Sequence, residues 1–234
     1  MNDHDNDLES ISLKYLDDRI IFFGDVIYKE SVEEFKSKFN YLTKKSNAPL
    51  TIYFNSPGGT VNDGFSMARM IADSNAPVTT VNVGIVCGMA VFPFVAGVKG
   101  GRRCLAHTTA TLNPIQRLIN GIPTSINYEG EPYLIAFLKS HTRLSDDLYN
   151  KLSEYELRLD ALSQVRFGLS DGIAAKSAKT GKVVEGFQLI ENAKNAENVR
   201  VRRPRKSVEQ VRKTVEDRSL MYRLKKFIGF IDLP

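Results

Sequence analysis

The 234-residue chain has no tryptophan, only two cysteines and only three histidines. Cys87 and Cys104 both lie in apolar runs, so they provide no disulfide framework and fit a reducing compartment. No group of His, Cys, Asp or Glu has the spacing of metal ligands. We therefore expect no metal and no other cofactor.

Long uninterrupted apolar runs are also absent. The longest apolar stretch, residues 84–98, is broken by glycines and Pro93 and is shorter than the ~20 residues that a spanning helix needs. The acidic, polar residues 1–9 are typical neither of a secretory signal nor of a basic transit peptide. We therefore expect a soluble cytoplasmic protein without a membrane span.

The net charge of +5 is concentrated at one end of the chain. Residues 193–234 contain 12 Lys or Arg and 5 Asp or Glu, whereas the preceding residues are slightly acidic. Tyr222 is the one aromatic side chain interspersed with these charges before the apolar end Phe227–Ile231, which disfavours nucleic-acid binding. Val208–Ile228 has the spacing of a helix with a narrow apolar stripe.

Apolar strands alternate with amphipathic or apolar helices along the first two thirds of the chain, which predicts an α/β fold with largely parallel strand pairing. The predicted strands are Arg19–Phe23, Leu50–Phe54, Val78–Val86 and Arg103–Leu112. The predicted helices are Ser31–Thr43, Val61–Ser74, Met89–Val98, Glu129–Lys139, Asp146–Glu156 and Leu159–Phe167.

Two turns at strand ends carry the clearest functional signal. The strand at residues 50–54 runs into Asn-Ser-Pro-Gly-Gly, where Gly58 and Gly59 leave backbone N–H groups open to a ligand. The strand at residues 78–86 ends just before Gly88-Met89. Backbone donors from Gly58, Gly59 and Met89 could together form a hole for a developing negative charge.

The ordered set of motifs resembles the ClpP family, the peptidase subunits of the ATP-dependent Clp protease. The resemblance covers Leu16–Ile173 and rests on Asp18–Gly24, Phe54–Val61, Gly64, Gly84–Met89, Ala96–Arg102 and Phe167–Gly172. It implies a ClpP/crotonase-like fold of repeated ββα units with a helical handle. We divide the chain accordingly into a flexible segment 1–15, a ClpP-like domain 16–173 and a basic, partly helical extension 174–234.

The family's Ser-His-Asp triad does not survive in this alignment. The resemblance places the Ser position at Gly88, the His position at Asn113 and the Asp position at Glu156. Glycine offers no nucleophile and asparagine cannot act as a general base. The resemblance therefore implies a ClpP-like scaffold with a degenerate triad, and we expect no peptidase activity.

Other residues could in principle replace the lost groups. Cys87 lies one position from the nucleophile site, but that single step along a strand turns its side chain to the opposite face. Asp160 would replace Glu156 if the register shifted by one helical turn. For His4, His107 and His141 we expect structural or solvent-exposed roles, because none lies near Asn113 in the predicted fold.

The function that these observations favour is a non-catalytic ring subunit, similar to the inactive ClpR paralogues of the ClpP family. Expected partners are copies of this chain or other ClpP-like subunits, with a peptide as a possible ligand. Docking to an unfoldase ATPase is doubtful, since few residues precede Leu16. Three alternatives stay open: a peptidase that uses Cys87, a crotonase-like acyl-thioester binder, and a structural module tethered by its basic extension.

Overall fold

The computed structural model describes residues 14–119, 122–125, 129–152, 155–176, 183–184 and 200–202. Its strands, numbered along the chain, are β1 Ile20–Phe23, β2 Leu50–Ser56, β3 Val78–Cys87, β4 Arg102–Leu105, β5 Thr109–Leu112, β6 Gln116–Ile119, β7 Ile122–Ser125, β8 Glu156–Asp160, β9 Gly172–Lys176, β10 Val183–Val184 and β11 Arg200–Arg202. Its helices are α1 Lys29–Lys45, α2 Val61–Ala72, a 3-10 turn Gly88–Ala90, α3 Val91–Val95, α4 Glu131–His141, α5 Asp146–Lys151 and α6 Ala161–Arg166.

The central strand of the main sheet is β3. Along one side it pairs in parallel with β2, which in turn pairs in parallel with β1. On its other side the first half of β3 pairs with β4, and the second half pairs with β5. The sheet therefore divides at β3, with β9 and β10 continuing from β4 and with β8 and β11 continuing from β5.

The core lies between the inward face of this sheet and the helices that cross it. The helix α1 has the predicted apolar stripe, and Val32, Phe35, Phe39 and Leu42 are all buried. Phe35, Phe54 and Phe94 are among the largest fully buried side chains. Burial of such side chains contributes about 1.5–3 kcal/mol each to the stability of the core.

The predicted α/β fold is confirmed, but several element boundaries were wrong. The predicted strand Arg103–Leu112 is two strands, because His107 lies in an intervening turn with a φ of +69°. The predicted helix Met89–Val98 is shorter, and residues 88–90 form the 3-10 turn that precedes it. The predicted helices Asp146–Glu156 and Leu159–Phe167 are separated by β8, which contains both Glu156 and Leu159.

Two short strands from the predicted extension join the main sheet. Strand β10 pairs with β9, and β11 pairs with β8, both in antiparallel orientation. Most of the predicted N-terminal segment 1–15 and the predicted helix Val208–Ile228 lie outside the described residues. None of the helices among the described residues has the length and hydropathy of a membrane-spanning segment.

Candidate active site

The Gly58-Gly59 loop is fixed by backbone contacts that exclude any side chain. A Cβ added at Gly58 would clash with the Cys87 carbonyl, and one added at Gly59 would clash with the Ile27 carbonyl. The N–H of Ile27 donates to the Gly58 carbonyl at 2.7 Å, and the N–H of Thr60 donates to the Ile27 carbonyl at 2.9 Å. These contacts hold the loop directly against the turn that follows β3.

That turn places Gly88 in a left-handed conformation, with a φ of +51°. The chain passes there from strand β3 into the 3-10 turn and then into α3. Such a sharp strand-to-helix turn is the geometry that presents a nucleophile in many hydrolases. Position 88 therefore has a backbone like that of a nucleophile turn, and as a glycine it carries no side chain there.

Asn113 lies opposite this turn. Cys87 is the register partner of Thr111, so the parallel pairing of β3 with β5 brings residue 113 next to residue 88. A Cβ added at Gly88 would lie 3.9 Å from Nδ2 of Asn113, with no other heavy atom outside the adjacent residues within 4 Å. The structure thus brings together two of the three positions that the resemblance selected.

Glu156, the third predicted position, begins β8 at the same end of the sheet. Leu157 pairs with Leu112, so Glu156 and Asn113 each lie one residue beyond a paired position. Even so, Glu156 does not line the cavity beside Gly88, whereas the nearby Leu152 does. Sequence reasoning missed Leu152, because an apolar residue in a helical pattern carries no signal of a site.

The rival Asp160 lies at the other end of β8. Its Oδ1 accepts a hydrogen bond from the N–H of Ser163 at 2.8 Å, so its carboxylate caps α6. Four residues of strand separate it from Glu156, a distance of about 13 Å. This capping role accounts for Asp160 without catalysis.

Cys87 is half-buried and does not line the cavity. Burial raises the pKa of its thiol, an effect that the hydrogen bond to Thr111 and the charge of Arg158 only partly offset. A reactive cysteine requires the opposite environment, one that stabilises the thiolate. The surroundings of Cys87 therefore disfavour a nucleophilic role.

Neither described histidine reaches the site. His107 lies in the turn between β4 and β5, and His141 stacks on Phe137 with ring centroids 4.1 Å apart. Nδ1 of His141 lies 2.8 Å from the Phe137 carbonyl oxygen. His4 lies outside the described residues, as do the groups around it.

A cavity of about 260 Å³ opens beside Gly88 and Asn113. Its walls are mostly apolar, and Gln116 and Glu131 add polar groups to the lining. The wall residues are Pro57, Gly59, Val61, Gly88, Met89, Phe92, Leu112, Asn113, Pro114, Ile115, Leu134, Ile135, Leu138 and Leu152. Glu131 was missed by sequence reasoning, which treated it only as part of a helix.

Gly59 and Met89 both line this cavity, and their backbone N–H groups are candidate donors to a ligand. The N–H groups of Gly59 and Met89 donate to no acceptor within the described residues. An extended peptide or an acyl carbonyl could accept from them. The third predicted donor, the N–H of Gly58, instead donates to Oγ of Ser56 at 3.2 Å, so it is not open to a ligand. No group of three or more His, Cys, Asp or Glu among the described residues could hold a metal ion.

The strand-turn-helix at Gly88, the paired glycines and the apolar cavity define the α/β scaffold of a ClpP-type peptidase. Comparison with known proteins agrees: residues 3–177 match the family model described as Clp protease. The chain belongs to this family.

The family's curated members are similar to this chain at modest identity. The proteolytic subunit 1 of the ATP-dependent Clp protease from Chlamydia muridarum is 29% identical over 174 residues, which cover 70% of this chain and 90% of the relative. The subunit of the same name from Synechococcus sp. strain CC9902 is 26% identical over 170 residues, covering 70% and 86% of the two chains.

Solved structures support the fold. A point mutant of ClpP1 from Listeria monocytogenes superposes with a TM-score of 0.61 at 22% identity and covers 70% of this chain and 95% of its own. The ClpP protease catalytic domain from Plasmodium falciparum gives a TM-score of 0.60 at 24% identity and covers 71% and 91%.

Proposed function

We propose that this chain is a non-catalytic ClpP-like subunit that retains the peptide-binding surface of the family but does not cleave. The observation that carries the proposal is the pair Gly88 and Asn113, which face one another where a nucleophile and a base would have to meet. An amide nitrogen cannot take a proton from an attacking group, and glycine has no atom with which to attack.

The surviving parts of the site support binding of a peptide. The unpaired N–H groups of Gly59 and Met89 provide main-chain donors, and the apolar walls of the cavity fit a hydrophobic side chain. Binding without cleavage needs no further group.

We further propose that the subunit assembles with ClpP-like subunits, either its own copies or others. On the sheet face opposite the core, Phe22, Val83 and Ile85 are 52%, 37% and 41% exposed. Phe22 stacks on Tyr53 with ring centroids 5.1 Å apart, which extends this apolar surface. Exposed apolar patches of this kind usually mark contacts with another protein.

The catalytic part of the proposal is tested by hydrolysis of an unstructured fluorogenic peptide. The parent chain, Cys87→Ala and Gly88→Ser should all be inactive, the last because Asn113 still cannot act as a base. Activity in the parent that disappears in Cys87→Ala would identify a thiol peptidase and contradict the proposal.

The assembly part is tested by native mass spectrometry of the parent and of Phe22→Asp/Ile85→Asp. The parent should form oligomers that the double variant cannot form. Tyr41→Asp, which changes an aromatic side chain of equal exposure on α1, is the matched control and should assemble normally. A monomeric parent at micromolar concentration, with or without a co-expressed ClpP subunit, would contradict this part.

A further inference from the structure

Strand β11 ends at the same edge of the sheet as the candidate active site. In the register of the sheet, Arg202 pairs with Glu156 and Arg200 pairs with Arg158. Because β8 is antiparallel to both β5 and β11, strand β11 runs in the same direction as β5. The chain therefore leaves β11 at the sheet edge where Asn113 follows β5 and Gly88 follows β3.

The remaining chain can easily reach the cavity. Two strand spacings separate β11 from β5, which is about 10 Å. An extended chain covers about 3.3–3.6 Å per residue, so three residues beyond Arg202 span this distance. The chain continues for 32 residues after Arg202, to Pro234.

The segment that follows β11 and the cavity carry complementary charges. The segment that follows β11 is Arg203-Pro-Arg-Lys-Ser-Val208, in which basic residues precede an apolar one. Glu131 is the titratable side chain in the cavity lining, and none of the ion pairs among the described residues involves it. Glu156 adds a second carboxylate beside the exit of β11.

We propose that residues 203–208 occupy the cavity of their own chain as an uncut peptide ligand. The basic run 203–206 crosses from β11 towards Glu131, and Val208 packs among the apolar walls formed by α4. The N–H groups of Gly59 and Met89 bind its backbone. This inference rests on the proposed function, since it takes the cavity to be a peptide-binding surface.

Competition for the cavity tests this assignment in the full-length chain. The probe is a fluorescein-labelled synthetic peptide with the sequence of residues 203–211, and binding is read by anisotropy. In a variant carrying Arg203→Glu, Arg205→Glu and Lys206→Glu, the segment should leave the cavity, which the probe can then enter. We call this the releasing variant. The matched control carries the same charge change farther along the tail, as Arg212→Glu, Lys213→Glu and Arg218→Glu.

The tethered segment has an effective concentration of about 1 mM. If the segment and the probe, which share a sequence, each bind the open cavity with a Kd of ~100 μM, the probe should bind the parent about tenfold more weakly than the releasing variant. The control should behave like the parent. In the releasing variant, Glu131→Gln should weaken probe binding, whereas Glu30→Gln on α1 should not. Equal probe binding by the parent and the releasing variant, including no binding to either, would overturn the assignment.

A second measurement locates the segment directly. With p-benzoylphenylalanine in place of Val208 in the full-length chain, irradiation should cross-link the tail to residues 131–138 or 112–116 of the same chain. Cross-links elsewhere, or between two copies, would overturn intramolecular occupancy. Cleavage of the probe peptide would contradict the proposed lack of catalysis alone, because occupancy is read from binding and cross-linking.

Discussion

A Cβ at Gly88 would lie 3.9 Å from Nδ2 of Asn113, so the two residues meet across the ends of β3 and β5. In a working hydrolase this is the relationship of nucleophile to base. In the proposal made above, this backbone arrangement remains while glycine and asparagine stand where the two reactive side chains would be.

The left-handed turn at Gly88 predicts a stability cost for any side chain at that position. Gly88→Ser should lower the free energy of unfolding by roughly 1–2 kcal/mol, because a φ of +51° is unfavourable for a residue with a Cβ. Urea denaturation measures the difference. Gly24→Ser is the control, since a Cβ there meets nothing within 4 Å and its φ is ordinary. Equal costs at both positions would refute this interpretation of the turn.

The Gly58-Gly59 loop should tolerate substitution far less than a glycine whose added Cβ would meet no other atom. Gly59→Ala would force a Cβ into the Ile27 carbonyl, and we expect a loss of more than about 3 kcal/mol or failure to fold. Gly100→Ala should cost only about 1–2 kcal/mol, because Gly100 also has a positive φ but open space around it. Thermal unfolding of the two variants distinguishes steric exclusion from backbone strain. Similar melting temperatures would contradict the close approach.

The buried pair Arg102 and Asp171 predicts how stability depends on pH. Burial alone would raise the pKa of Asp171, but hydrogen bonds from Arg102, its charge and the N–H of Gly100 lower the pKa below its usual value. The carboxylate therefore contributes stability that is complete above the unfolded pKa of about 3.9 and is lost as pH falls through the folded value.

Asp171→Asn should destabilise the fold by about 3–5 kcal/mol near neutral pH, because it leaves the buried Arg102 charge without its partner. Denaturation at pH 7 and at pH 3 measures this difference, which should shrink at the lower pH. Asp73→Asn, which removes an exposed ion pair with Arg69, is the control and should have little effect. A difference that grew as the pH fell would contradict the direction of the pKa shift.

The environment of Cys87 predicts that its thiol is alkylated slowly. Burial raises the pKa of its thiol, so alkylation by iodoacetamide at pH 7 should be slower than that of a free cysteine and should accelerate only above the usual thiol pKa. Mass spectrometry can follow Cys87 and Cys104 separately, and the more deeply buried Cys104 should react more slowly still. Rapid modification of Cys87 at neutral pH would restore it as a nucleophile candidate.

The sequence predicted those parts of the molecule that local pattern controls. The stripe of α1 and the glycines at 58, 59 and 88 each follow from spacing or from backbone requirements, and the α/β class is confirmed. The break at His107 was missed because the apolar residues on both sides of it resemble one continuous strand. The placement of Glu156 in a strand was missed because pairing with β5 overrides its local helical pattern.

The cavity itself could not be predicted from the sequence. Leu152 and Glu131 come from separate helical segments, and only the tertiary arrangement brings them beside Gly88. Likewise, nothing in Arg200–Arg202 indicates an edge strand, because three alternating residues are too short a pattern to interpret. The partner strand, not the local sequence, determines that structure.

The most direct test of the proposed loss of the triad is fluorophosphonate labelling combined with hydrolysis of the fluorogenic peptide by the purified chain. We predict no turnover above buffer and no covalent label on this chain. Any turnover from a co-purified ClpP subunit would be accompanied by a label on that subunit alone. Turnover with a label on a residue of this chain would contradict the central claim that the triad positions Gly88, Asn113 and Glu156 no longer support cleavage.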